Sequence, residues 1–179
     1  MGYLNLPHNF TKEDIISYEN VFSEPEEESI FQYLARPNWR YGHVSSTQNY
    51  KNCPPFWSMS LVDDEFFTVH LLNKIKELTG ENLIITTVYA NGQTYGLSGQ
   101  PHLDAHDDKG RTFIYYVNRG WDVRWNGKTT FIFNDGYHYE MPSANKAIYF
   151  PGIIKHFAEE TSRTFGGLRM SVVWKLQLI

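Results

Sequence analysis

A single cysteine, Cys53, excludes an internal disulfide, and without a Cys pair there is no structural zinc knuckle; this usage fits a reducing compartment. No apolar run approaches the roughly 20 residues that a membrane-spanning helix needs. The opening Met-Gly-Tyr-Leu-Asn-Leu-Pro has neither a charged n-region nor an apolar h-region, and Leu6 stands where a myristoylation signal wants Ser or Thr. A soluble, cytoplasmic protein with no membrane partner is therefore expected. Positive charge is also scarce: 16 basic residues face 20 acidic ones, a net charge of −4, so no basic field exists to neutralise phosphates and no nucleic-acid partner is expected. Repeats, low-complexity tracts and linkers are missing too, which points to one domain over residues 1–179.

What the chain does have is aromatic side chains, 16% of its residues. Such strands favour β-structure. Residues 1–80 read as helices with supporting strands. Ser23 with Glu26 forms a capping box, and the helix it opens should run to about Arg36 on an Ile30, Phe31, Leu34 stripe before Pro37 stops it. Residues 39–60 hold strands around a polar loop near 49–55, with 57–61 as a strand. Asp63 or Asp64 caps a second helix through Phe67, Leu71, Ile75 and Leu78, ending at Gly80. Beyond Gly80 the period changes. Short strands are expected at 83–90, 101–104, 111–118, 129–133, 137–141, 146–151 and 168–177, with Asn91-Gly92 as a turn. Strands in series without intervening helices argue for a mainly β sandwich or jelly roll flanked by the two helices.

The chemistry is concentrated in two stretches. In extended chain, alternate side chains share a face, so His102 and Asp104 point together while Leu103 packs. Such a pair is common by chance, and a surface turn explains it equally. Here it follows the turn-forming Gly96-Leu-Ser-Gly-Gln-Pro stretch, and His156 follows a strand ending at Phe150-Pro151-Gly152, so both lie at strand ends where a barrel opens. Together His102, Asp104 and His156 make a 2-His-1-carboxylate set of the kind that holds Fe(II) with positions open. The nearer His106, four residues from His102, has Pro101 before it and Asp107-Asp108-Lys109-Gly110 after it, so the helical zinc reading fails. His8, His43, His70 and His138 have no partner at ligand spacing.

The last strand puts Leu168, Met170, Val172, Trp174 and Leu176 on one face and Arg169, Ser171, Val173, Lys175 and Gln177 on the other. Either Arg169 meets water on a half-buried strand, or the apolar face packs on the helices and Arg169 looks into the barrel. A buried guanidinium needs an anion, and its planar fork suits a carboxylate, with Ser171 on the same face as a further donor.

The order His102-x-Asp104, His156, Arg169-x-Ser171 resembles the Fe(II)- and 2-oxoglutarate-dependent dioxygenases, and within them the prolyl 4-hydroxylase-like branch with its small bacterial and phage members. The likeness covers residues 83–178, with Thr112-Phe-Ile-Tyr-Tyr-Val-Asn118, Trp121-Asp122 and residues 125–129 as secondary matches. It implies a double-stranded β-helix over residues 81–179, iron on His102, Asp104 and His156, and the distal carboxylate of 2-oxoglutarate on Arg169 with Ser171. Tyr116 would assist there, and Tyr89 would stand near the inner carboxylate or serve only in packing. Dioxygen would be the oxidant and ascorbate a supporting reductant. The implied reaction hydroxylates a prolyl residue, a free amino acid or another small metabolite and releases succinate and carbon dioxide, so the partner would be a small molecule or a peptide. An intact carboxylate at Asp104 favours hydroxylation, since related halogenases carry a small residue there.

Three departures stand out. Asn126-Gly127-Lys128-Thr129 replaces the family's common Gly-Gly-Glu-Thr. Arg169 stands where many collagen-type enzymes use Lys, and Lys175 stands where nucleic-acid demethylases carry a second Arg. Trp121, Trp125, Tyr95 and the 49–57 loop are candidates for the mouth or for rim packing. Two rival readings remain: a non-catalytic jelly-roll binding module and a cupin-like metal isomerase, both of which tolerate Arg169 in solvent.

Overall fold

Ser23 opens the first helix as its sequence dictates, since Glu26 reaches back to the Ser23 backbone N–H at 2.8 Å and to its hydroxyl at 2.7 Å. This helix, α1, spans Glu24–Leu34 and buries Ile30 and Leu34. In the computed structural model, which describes residues 10–45 and 53–179, a short strand β1 (Ile16–Glu19) precedes it. Strands β2 (Arg40–His43) and β3 (Phe56–Ser60) follow; His8 and most of the polar loop expected at 49–55 lie outside the described residues. The Asp64 carboxylate then accepts from the Phe66 backbone N–H at 2.8 Å and starts a π-helical turn, Phe66–His70, that runs into α2 (Leu71–Thr79) and stops at Gly80. Phe67, Leu71, Leu72 and Ile75 are buried, whereas Leu78 is exposed, contrary to the expected stripe. The wide π turn shifts the helix phase that simple spacing assumes.

The β-strands of the C-terminal part are β4 (Leu83–Gln93), β5 (Gly110–Tyr116), β6 (Thr129–Phe133), β7 (Gly136–Glu140), β8 (Lys146–Pro151), β9 (His156–Ala158) and β10 (Arg169–Leu178). They form two antiparallel sheets, one of seven strands in the order β1-β8-β5-β10-β4-β3-β2 and one of three in the order β7-β6-β9. The mainly β architecture with flanking helices is as expected.

Two strand boundaries need correction. Asn91-Gly92 is not a turn: β4 runs straight through it, and Gly92 pairs with Met170 on one side and Trp57 on the other. The glycine is there for space, because a Cβ at position 92 would lie 2.9 Å from both Leu168 and Trp39 side-chain atoms. Residues 101–104 form no strand either; His102 makes a single antiparallel bridge with His156.

Alternation along β10 sorts the interior into two layers. Val172, Trp174 and Leu176 join Val88, Phe113 and Tyr115 against Ile30, Leu34, Phe67, Leu71 and Ile75 of the helical layer. Each such side chain contributes about 1.5–3 kcal/mol on burial. The opposite face puts Val173 with Ile114, Tyr116, Phe131, Ile148 and Phe150 between the sheets. Arg169 and Ser171, on that same face and 2% exposed each, consequently point inward rather than to water. No helix among the described residues is long and apolar enough to cross a membrane.

Candidate metal centre

His102 and His156 are brought together by reciprocal backbone hydrogen bonds, His102 N–H to His156 O at 3.0 Å and the reverse at 3.1 Å. The segment leading to His102 is pinned by Gly99 N–H to Ala158 O at 2.8 Å and by Gln100 N–H to the Ser45 hydroxyl at 2.6 Å. Two residues on, Asp104 N–H and Ala105 N–H both donate to Gly152 O, at 2.8 and 3.0 Å. That docking requires a bare backbone opposite, since a Cβ on Gly110 would sit 2.1 Å from the Ala105 Cβ. Gly110→Ala is therefore expected to cost about 1–3 kcal/mol through overpacking and to weaken divalent-metal binding with it. Urea unfolding and calorimetric Co(II) titration of the same variant check both effects.

The ring nitrogens are assigned by their partners. His102 Nδ1 lies 2.8 Å from Gln100 O and His156 Nδ1 lies 2.9 Å from Ile154 O. A carbonyl only accepts, so each Nδ1 carries a proton and each Nε2 faces the interior, the atom a bound metal would take. His102 Nε2 lies 3.4 Å from Asp104 Oδ1, and His156 Nε2 lies 3.4 Å from Asp104 Oδ2. Ligand atoms about 2.1 Å from one ion stand about 3–3.4 Å apart. All three ligand atoms fall within 4.8 Å of one another.

Asp104 is almost fully buried, its side chain 3% exposed. The Thr112 hydroxyl donates to Oδ2 at 2.8 Å, and Lys175 Nζ is ion-paired with Oδ1 at 3.0 Å. Burial alone would raise the Asp104 pKa, but His156 and His102, with Lys175 beyond them, hold it well below the usual carboxylate range. Two imidazoles and one ionised carboxylate are a donor set that fits a divalent ion such as Fe(II). His106 is exposed and outside the group, as the flanking turn implied.

The second half of the site is built around Arg169. Its Nε donates to Gly127 O at 2.6 Å, one terminal nitrogen donates to Gln93 Oε1 at 2.9 Å, and the other donates to the Thr129 hydroxyl at 3.4 Å. None of these partners is a carboxylate. Burial pushes the Arg169 pKa down, yet a guanidinium stays protonated, so a full positive charge sits in the interior with no counter-ion among the described residues. Tyr116 lies beside it, its ring 5.6 Å from the guanidinium carbon and its hydroxyl donating to Thr129 Oγ1 at 2.8 Å. Burial pushes the Tyr116 phenol up to about 12. The link to the metal ligands is through β6 and β9: Thr129 pairs with Ala158, and Phe131 pairs with His156. Thr129, which holds Arg169, thus stands two residues along β6 from Phe131, the register partner of the ligand His156.

Tyr89, on the inward face of β4, has its ring 5.8 Å from Lys175 Nζ and 5.5 Å from the His43 ring; burial and the charge of Asp104 push its phenol up to about 12. Ser171 pairs with Tyr116 and Asn91 across its neighbours. Trp121 and Trp125 pack edge to face on each other at 5.6 Å and both on Phe165, while Tyr95 is exposed. An open cleft of about 450 Å³ lined by Arg124, Trp125, Ser162 and Thr164 shares no wall residue with the triad. Sequence reasoning did not find Thr112, Gln93, Thr129 or the position of Lys175 beside Asp104. Strand alternation signals all four faces, since Thr112, Lys175, Gln93 and Thr129 share the inward faces of Ile114, Val173, Tyr89 and Phe131; it does not signal that Gln93 and Thr129 meet Arg169.

No family model matches the chain, and no curated protein is similar to it in sequence. Its structure is similar to solved ones. A 2OG-Fe(II) oxygenase family oxidoreductase from Burkholderia pseudomallei superposes with a TM-score of 0.73 at 11% identity, over 93% of this chain and 86% of that one. A prolyl hydroxylase from Trichoplax adhaerens, solved with a hypoxia inducible factor oxygen degradation domain peptide fragment, gives 0.67 at 14% identity over 92% and 84%. A Pseudomonas putida prolyl-4-hydroxylase gives 0.60 at 13% identity, over 92% of each chain. The chain therefore has the fold of these oxygenases.

Proposed function

We propose that the chain is an Fe(II)- and 2-oxoglutarate-dependent oxygenase, a single domain over residues 1–179 whose two sheets are a double-stranded β-helix. One observation carries the reading: the convergence of two imidazoles and a buried carboxylate, together with a buried guanidinium that has no acidic partner among the described residues. A binding module or a metal isomerase has no use for that cation, and the alternative with Arg169 in solvent disagrees with its burial.

Fe(II), when bound with 2-oxoglutarate and dioxygen, supplies the oxidation, in which the cosubstrate becomes succinate and carbon dioxide and a substrate C–H becomes C–OH. The residues do the holding. His102, Asp104 and His156 hold the metal, the backbone carbonyls of Gln100 and Ile154 fix the two imidazole tautomers, and Thr112 orients Asp104. Arg169 takes the distal carboxylate of 2-oxoglutarate, with Ser171 and Tyr116 beside it, and Gln93, Thr129 and the Gly127 carbonyl keep the guanidinium aimed. Tyr89 stands at the metal end. The substrate is a prolyl residue, a free amino acid or another small metabolite, and the protein works in the cytoplasm. Succinate formation from 2-oxoglutarate is the test. It is expected to need Fe(II) and oxygen and to rise when a substrate is present; no turnover with any candidate, together with no 2-oxoglutarate binding, excludes the reading.

A further inference from the structure

The inward face of β10 carries a second cation beside the first. Lys175 Nζ lies 3.0 Å from Asp104 Oδ1, and its side chain is 28% exposed where that of Asp104 is 3% exposed, so it sits on the solvent side of the carboxylate. Thr112, the register partner of Lys175 on β5, holds the other oxygen, so the two residues straddle Asp104. The ammonium is thus the ion-pair partner of Asp104, and a metal ion that took the carboxylate would draw that partner away.

A cation there opposes a divalent metal ion electrostatically, and a purely structural ion pair would not select it. The formal charges show what it is available for. Among the described residues, the inward positions of β4, β5 and β10 carry Arg169 and Lys175 and no carboxylate, so Asp104 is the one acid of the site. A divalent ion and a dianionic cosubstrate cancel each other, and Asp104 cancels one of the two side-chain cations. One positive charge is left over. The far carboxylate of the cosubstrate belongs to Arg169 and the near one to the metal, so the remaining charge, on the partly exposed Lys175, is the one left for the substrate.

We propose that Lys175 receives a carboxylate of the primary substrate, which makes the substrate a free amino acid or another small carboxylic acid rather than an internal residue of a peptide. This rests on the oxygenase reading. An internal residue is neutral and leaves the lysine uncompensated; a free acid closes the charge balance and is oriented with its carbon skeleton toward the metal.

The test uses the full chain with Fe(II) and 2-oxoglutarate under anaerobic conditions, where substrate binding perturbs the visible charge-transfer absorption. The probes are the twenty protein amino acids and a set of short-chain and aromatic carboxylic acids, each as the free acid and as its carboxamide. At least one free acid is expected to bind, its carboxamide about 30-fold more weakly. Lys175→Met should weaken that acid by a similar factor while changing 2-oxoglutarate affinity less than about threefold, and Lys175→Arg should restore most of the loss. Equal binding of acid and carboxamide, no response to any free acid, or a Lys175→Met variant that loses 2-oxoglutarate instead would each overturn the proposal. If the wild-type absorption band never forms, the oxygenase reading itself has failed and the substrate proposal falls with it.

Discussion

Asp104→Ala is expected to abolish 2-oxoglutarate turnover, by about 1,000-fold or more, and to weaken Fe(II) binding by at least about 100-fold. The carboxylate is the one anionic ligand of the triad, and both imidazole Nε2 atoms stand 3.4 Å from its oxygens. Without it the two rings remain, and Lys175 is left beside the metal position without its ion-pair partner. Repulsion then adds to the loss of a ligand. His106→Ala is the control, because His106 is exposed and should leave turnover within about twofold. Metal titration and succinate release on both variants separate loss of the ligand from a general loss of structure.

Arg169→Ala is expected to act on the other ligand. Removing a fully buried guanidinium that receives a carboxylate costs about 2–5 kcal/mol of binding, so 2-oxoglutarate affinity should fall by about 30-fold or more. Fe(II) binding without cosubstrate should change by less than about threefold. Stability is also affected, since Gly127 O and Gln93 Oε1 lose their donor, at about 1–3 kcal/mol for each buried group left unsatisfied. Arg169→Lys keeps the charge but cannot reach Gly127, Gln93 and Thr129 at once, so it should restore only part of the affinity. Calorimetric titration with each ligand, alongside urea unfolding, resolves these effects; equal loss of metal and cosubstrate would mean that the variant has misfolded.

The parts of this arrangement that depend on local periodicity were legible in the chain. Alternation along β10 put Arg169 and Ser171 opposite Val172 and Trp174, and the structure sorts them into the two interior layers that pattern implies. The Ser23 and Glu26 capping box and the Asp64 cap likewise act within a few residues. What escaped is nonlocal. Asn91-Gly92 has the composition of a hairpin turn, but Leu168 and Trp39 press on Gly92 from other parts of the chain, and tertiary packing overrides the local preference. His102 and Asp104 share a face without belonging to a strand, because a bridge to His156 and two hydrogen bonds to Gly152 O do the work of a sheet. Lys175 was on the correct face, yet its closeness to Asp104 depends on the register of β10 against β5 and on how the His102 loop docks. Gln93 and Thr129 meet Arg169 from 76 and 40 residues away, a convergence that spacing cannot express.

The central claim, one metal position and one dicarboxylate position in a single cavity, is tested most directly by titrating 2-oxoglutarate into the anaerobic protein with and without Fe(II), then admitting oxygen and counting succinate. Saturation at one 2-oxoglutarate per chain, tighter with Fe(II) than without, followed by one succinate for each 2-oxoglutarate consumed, is the expected result. Absence of metal-dependent binding together with absence of succinate would contradict it.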